Sequence, residues 1–440
     1  MKKNWLALSA AAVLLFTAAC SGGGTPKSSE GTSAPSAANK PSVTDRKAEI
    51  TFYLTTNNVA VETFDKRYGD KVREKFPNYT IKYVMQSSGN GIPELLAAGE
   101  VVDIIITSDA FTPIFLTPYN LQYDITALVK QNQTDLTQFE PTTIELQRAM
   151  ANGGIWGLPI GINSASLMYN RDLFDKFGVA YPKEGMTWDQ LYELARTMTR
   201  NEGGVQYKGL VMSFQHMMYL NQHSAAFTDD KAGKALMTDE NFKKAFENLA
   251  RFYKIPGNEP PNNKYTLASQ TDAYGKTKTA AMYASLSGAP AEDSAMNWDV
   301  VQLPFLPEKP GVGPQARTDY AYLTSLSKDK EAAYEVIEYL VSPEFQKWKL
   351  AENQGYSALK DPAINSSYGK GKPWLESRNT KSFLPQKYAP ATLKSNQQSA
   401  ADKEALAALD AYLNGTDINT ALREANDRLQ RTMDLAKSGK

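Results

Sequence analysis

Between residues 49 and 107 the apolar residues switch repeatedly between two periods, and this alternation constrains the fold more than any other feature of the chain. Ile50, Phe52 and Leu54 recur every second residue, as one face of a strand does. Val61, Phe64, Tyr68, Val72 and Phe76 then recur at steps of three and four, an amphipathic helix that Pro77 stops. Residues 79–84 alternate again, residues 92–98 form a short helix with Pro93 at its start and Gly99 at its end, and residues 102–107 are a third, mostly apolar strand. A β-α-β-α-β order with right-handed crossovers predicts a parallel sheet with helices on both faces. Ligands of such sheets bind beyond the carboxyl ends of the strands. The loops there are Thr55-Thr56-Asn57-Asn58, residues 86–91 with Ser88, and Thr107-Ser108-Asp109. Each could simply cap the helix that follows. Three polar loops on one sheet edge point further, to a ligand.

The pattern continues downstream. Strands are expected at 166–169, 210–213, 280–284 and 298–303. Thr187 and Gln190 have capping-box spacing for a helix over 188–200. Asp239 and Ser327 are expected to open helices, as is Ser342-Pro343, and two terminal helices at 402–414 and 417–437 are parted by Gly415. At 440 residues the chain has room for two or three domains.

Composition removes whole classes of function. The 48 Lys+Arg balance 48 Asp+Glu, which leaves no basic footprint for nucleic acid. Two His and one Cys cannot build an ordinary zinc, copper or iron–sulfur site, so no cofactor is expected. The N-terminus reads as an address. Lys2 and Lys3 precede an uncharged apolar stretch over residues 5–19, shorter than the roughly 20 residues that span a bilayer, and small Ala18 and Ala19 end it. Residues 1–19 are therefore expected to be a signal peptide. The only cysteine, Cys20, follows directly, and Thr17-Ala18-Ala19-Cys20 resembles the bacterial lipoprotein signal, which implies a lipidated Cys20. Residues 20–47 are dominated by Gly, Ser, Thr, Ala, Pro and Lys, too poor in apolar groups to offset their ordering entropy, and read as a disordered tether.

A wider resemblance rests on an ordered set of marks. They are Gly153-Gly154-Ile155-Trp156-Gly157-Leu158-Pro159, then Leu167-Met168-Tyr169-Asn170-Arg171-Asp172-Leu173-Phe174, then Gly178, Pro182, Thr187-Trp188 and Leu191. Leu96-Ala97-Ala98-Gly99 with Asp103, Thr279-Ala280-Ala281-Met282, Ser327-Lys328 with Glu331-Ala332-Ala333, and Leu340-Val341-Ser342-Pro343-Glu344 support them. Together they resemble family 1 of the extracellular solute-binding proteins, the receptors of ABC importers that include maltose-binding proteins. The resemblance implies an α/β fold of the type II periplasmic-binding-protein class, two α/β lobes joined by a hinge. It divides the chain into residues 48–155 with 304–342, and residues 156–303 with 343–440. It also implies hinge closure over a solute, delivery to membrane permease subunits, and an extracytoplasmic monomer held to the cell membrane by its lipid. No Gly-x-x-x-x-Gly-Lys-Ser/Thr loop is present, so the ATPase would be a separate chain.

Carried over position by position, the resemblance implies ligand contacts at Asn57, Asn58, Ser88, Ser108 and Asp109 on one lobe, and at Asn163, Gln215, His216, Tyr219 and Ser287 on the other. Tyr320 and Tyr356 stand at further loop positions that relatives use. The segment Ser285-Leu286-Ser287-Gly288 has no Trp where maltose-binding proteins carry an aromatic platform, which argues against maltodextrin. A sugar or oligosaccharide is the expected solute, because sugars take flat aromatic faces and fixed amides, and the chain has 23 Tyr. A polyamine or other small polar solute is the second reading. A secreted carbohydrate-active enzyme is the third: any two of the acids could serve as its pair, but neither a His-Glu-x-x-His motif nor a Gly-x-Ser-x-Gly elbow occurs.

Overall fold

The structure, a computed structural model, describes residues 46–260, 265 and 267–438. The expected leader, Cys20 and all of the expected tether except residues 46 and 47 lie outside the described residues. The strands are β1 (Ala48–Leu54), β2 (Tyr79–Met85), β3 (Ile104–Ser108), β4 (Gly157–Asn163), β5 (Ala165–Asn170), β6 (Arg200–Glu202), β7 (Val205–Met212), β8 (Thr228–Asp229), β9 (Lys234–Ala235), β10 (Ala280–Leu286), β11 (Trp298–Gln302), β12 (Gly313–Gln315), β13 (Arg317–Leu323) and β14 (Tyr388–Ala389). Two five-stranded sheets organise the molecule, in the orders β2-β1-β3-β13-β4 and β11-β5-β10-β7-β6. Each has helices packed on it, giving two α/β lobes.

In the first sheet β2, β1 and β3 are parallel, as the alternation predicts. Ile50, Phe52 and Leu54 of β1 face one apolar cluster while Tyr53 faces another, so both sides of the sheet are covered. The sheet is not parallel throughout. β13 arrives from the second lobe and runs antiparallel to both β3 and β4. The helix expected over 61–76 forms with a wide π turn, Asp65–Gly69, between Val61–Phe64 and Asp70–Lys75. In the second lobe the capping box is complete: Gln190 N–H donates to Thr187 Oγ1 at 3.3 Å, and Thr187 N–H donates to Gln190 Oε1 at 2.9 Å. Asp239 caps Glu240–Ala250, and Ser342 caps Pro343–Ala351.

Two features differ from expectation. Ser327 does not open a helix. Asp329 caps Lys330–Leu340, while the Ser327 hydroxyl donates to Asp103 Oδ1 at 2.7 Å. The lobes also change hands later in the chain than expected. β4 belongs to the first sheet and β5 to the second, so the first crossing is Ser164, not residues 155–156. The helix Pro343–Ala351 packs on the first lobe: Gln346 Nε2 and Lys349 Nζ both donate to Ile160 O of β4, at 3.0 and 2.7 Å. The return crossing lies between β11 and β13. Helices Gln398–Leu413 and Ile418–Lys437 then bury Leu409, Leu422, Ala425, Leu429 and Met433 in the second lobe's core. Among the described residues no helix is long and apolar enough to cross a membrane.

Candidate functional site

The carboxyl ends of β1, β2, β3 and β4 and the start of β13 share one edge of the first sheet. The ends of β7 and β10 and the start of β5 share an edge of the second. The crossing at Ser164 joins these edges: the Ser164 hydroxyl donates to Gln315 O at 3.3 Å, and Ser287 N–H donates to Ser164 O at 2.8 Å. Arg317 starts β13 opposite Asn163, the last residue of β4. Its guanidinium donates to Ser108 Oγ at 3.2 Å and lies 3.8 Å from Asp319. Its other donors have no hydrogen-bond partner among the described residues. Asn163 uses its carboxamide oxygen to accept from Ser164 N–H at 2.7 Å, which leaves the amide nitrogen free among the described residues.

Across from this edge stands the short helix Phe214–Tyr219, which follows β7. His216 Nδ1 lies 2.6 Å from Ser213 Oγ, and its pKa is lowered by burial and by the nearby Arg317 charge. Tyr219 reaches the other lobe and donates its hydroxyl to Asp109 Oδ2 at 2.9 Å. Asp109 Oδ1 accepts from Thr318 N–H at 3.2 Å, and the residue is 1% exposed. Burial pushes the Asp109 carboxyl up, against the opposing pull of Lys394 and Arg317. Lys394 donates to Tyr219 O at 3.0 Å and to Thr392 Oγ1 at 2.8 Å, with its ammonium 3.8 Å from the Tyr219 ring centroid. Burial lowers its pKa to about 8, despite the charges of Asp109 and Asp402.

The expected residues thus divide into three groups. Ser108, Asp109, Asn163, His216 and Tyr219 converge where the two sheet edges meet, and Gln215 sits half-buried on the same short helix. Asn57, Asn58 and Ser88 are exposed on neighbouring loops; Asn58 takes a left-handed φ of 55° and donates its N–H to Gln86 O at 2.9 Å. The remaining three are structural. Tyr320 is wholly buried, and its hydroxyl donates to Thr143 O at 2.7 Å. Tyr356 stacks on Tyr368 at 4.6 Å inside the core, and its carbonyl accepts from Ile162 N–H at 3.0 Å. Ser287 is buried with its hydroxyl on Phe383 O. Arg317, Lys394, Asp402 and Phe111 escaped the sequence reading. Phe111, two residues beyond Asp109, keeps 42% of its surface exposed and meets Phe115 edge-on, with ring centroids 6.1 Å apart. Among the described residues no group of three or more His, Cys, Asp or Glu could hold a metal ion.

The family model for bacterial extracellular solute-binding proteins matches residues 56–347. The chain belongs to this family. A solute-binding protein fold also accounts for its structural likenesses. A sugar transporter protein of Rhizobium etli, in an open conformation, superposes with a TM-score of 0.71 at 20% identity, covering 87% of this chain and 99% of that one. The sugar-binding protein MalE of Xanthomonas citri gives 0.70 at 16% identity, covering 88% and 98%. An ABC substrate-binding protein of Listeria monocytogenes, solved with cycloalternan, gives 0.67 at 17%, covering 88% and 100%. A Brucella abortus (strain 2308) relative, named as a binding protein, is 22% identical over 51% of this chain, and the match spans 55% of that relative's length.

Proposed function

We propose that this solute-binding protein is the extracytoplasmic receptor of an ABC importer and closes its two lobes over a sugar or oligosaccharide. Permease subunits would receive the solute, and a lipid on Cys20 would hold the receptor at the cell membrane. The observation that carries the sugar reading is the set of spare donors where the lobes meet: the rest of the Arg317 fork and the Asn163 amide from one lobe, with Gln215 and His216 on the short helix of the other, and exposed Phe111 two residues beyond Asp109. Fixed polar groups beside an aromatic face suit a molecule with hydroxyls on its rim and C–H patches on its faces. The exposed Asn57, Asn58 and Ser88 would extend this surface on the first lobe. The polyamine reading fits less well, because Arg317 places a permanent cation in the site.

A thermal-shift panel of linear and cyclic oligosaccharides, polyamines and peptides tests the reading. A solute at 100 times its dissociation constant stabilises by about 2.7 kcal/mol. A saccharide hit that Arg317→Ala and Asn163→Ala each weaken at least tenfold is the expected result. A polyamine hit with no saccharide hit would replace it, and a saccharide recovered cleaved would make the protein an enzyme.

A further inference from the structure

Lys394 lies outside every expected site, yet with Arg317 it is one of two half-buried cations whose charges act at the Tyr219–Asp109 bond between the lobes. The Asp109 carboxylate accepts one hydrogen bond from its own sheet, the Thr318 amide, and one from the other lobe, the Tyr219 hydroxyl. Lys394 makes no bond to Asp109. It grips the helix that carries Tyr219, through that residue's carbonyl and ring face, and its second bond goes to Thr392. Thr392 in turn donates its N–H and hydroxyl to Gln315 Oε1, at 2.8 and 3.0 Å. Gln315 closes the ring onto the same helix end, donating its N–H to Leu220 O at 2.9 Å and its amide to Asn221 O at 2.8 Å. The charged and titratable groups facing this ring are Asp109, Arg317, His216, Tyr219 and Asp402. Two cations thus face two carboxylates, and a buried carboxylate that loses one of its cations is left uncompensated.

We propose that Lys394 is a positioning residue for lobe closure: its ammonium sustains the Tyr219–Asp109 bond across the lobes, so the angle between the lobes depends on charge at position 394. The proposal rests on the closure reading above, but its test needs no ligand. Burial brings Lys394 to about 8, while Asp402 lies near 6, His216 sits below its usual value, and Arg317 and Tyr219 are raised. Lys394 therefore loses its charge between about pH 7 and pH 9.5, whereas an arginine there would not.

Solution scattering of the ligand-free protein at those two pH values reads the lobe angle as a radius of gyration. The wild type is expected to expand at the higher pH. Lys394→Met is expected to be expanded at both, and Lys394→Arg to stay compact at both. Tyr219→Phe should be expanded and insensitive to pH. Circular dichroism and a cooperative melt for each variant separate expansion from unfolding. A folded Lys394→Met with the wild-type radius and the wild-type pH response would overturn the proposal. So would a Lys394→Arg that still expands. Failure of every saccharide to bind, with these shifts present, would remove the sugar reading and leave the clamp standing.

Discussion

Asp103 offers the sharpest test of how the first sheet delivers its edge to the site. Its Oδ2 accepts from Thr51 N–H of β1 at 2.9 Å, and its Oδ1 accepts from the Ser327 hydroxyl ahead of helix Lys330–Leu340. Its main chain donates to Thr51 O and accepts from Thr324 N–H, both at 2.9 Å, so this residue stitches β1, β3 and the end of β13 together just before β3 runs to Ser108. Asp103, Thr51 and Ser327 are all buried. Asp103→Ala removes both side-chain acceptors and strands two buried donors. Each stranded group costs about 1–3 kcal/mol, so the loss should be about 3–4 kcal/mol. Asp103→Asn keeps one acceptor and adds an amide donor that faces an existing donor, which should recover roughly half of that. Urea unfolding followed by circular dichroism measures both, with an unchanged m value showing that the midpoint shift is a stability change. A loss below about 0.5 kcal/mol for Asp103→Ala would refute the reasoning, because it would mean that neither donor depends on the carboxylate.

Gly209 of β7 leaves no room for a side chain: a Cβ there would lie 1.9 Å from the Ala195 carbonyl oxygen of helix Trp188–Met198. Gly209→Ala should cost at least about 2–3 kcal/mol in urea unfolding, since backbone rather than a flexible side chain must move. Asp402 gives a pH signature. Burial raises its pKa to about 6 in the folded protein against 3.8 unfolded, so the folded state binds more protons across that window and stability falls as pH rises through it. Melting curves between about pH 4 and pH 7 should show a decline, of up to about 3 kcal/mol, that Asp402→Asn lacks. Arg46 pairs with Asp329 and lies 3.5 Å from both Glu331 and Glu335. Arg46→Ala should lose about 1 kcal/mol in low-salt urea melts and less in high salt, as partly exposed pairs do.

Elements of both lobes were readable where their information is local. The alternation of Ile50, Phe52 and Leu54 and the helical steps from Val61 to Phe76 are written within one element each, and the Thr187–Gln190 box needs only its own turn. Ser327 shows where locality fails. A serine ahead of a helix looks like a cap, but Asp329 competes two residues on, and the Ser327 hydroxyl is drawn to Asp103, far away in the chain. Tyr320 failed for a related reason. Its period places it on one face of β13, but only the pairing with β3 and β4 decides that this face, with Tyr322, looks into the core rather than the site. Arg317 and Lys394 were invisible for want of any local signature. One begins a strand and the other lies in the segment after β14, and their charges act on the same Asp109 only through the crossing of the chain between lobes.

Closure over an intact solute is what would make this protein a receptor rather than an enzyme. Solution scattering of the protein titrated with the saccharide that gives the largest thermal shift, with the bound sugar recovered and analysed afterwards, measures this directly. A radius of gyration that falls to a saturating plateau as the sites fill, with the sugar returned unchanged, is the predicted result. A radius that stays constant at full occupancy, or a sugar returned in pieces, would contradict it.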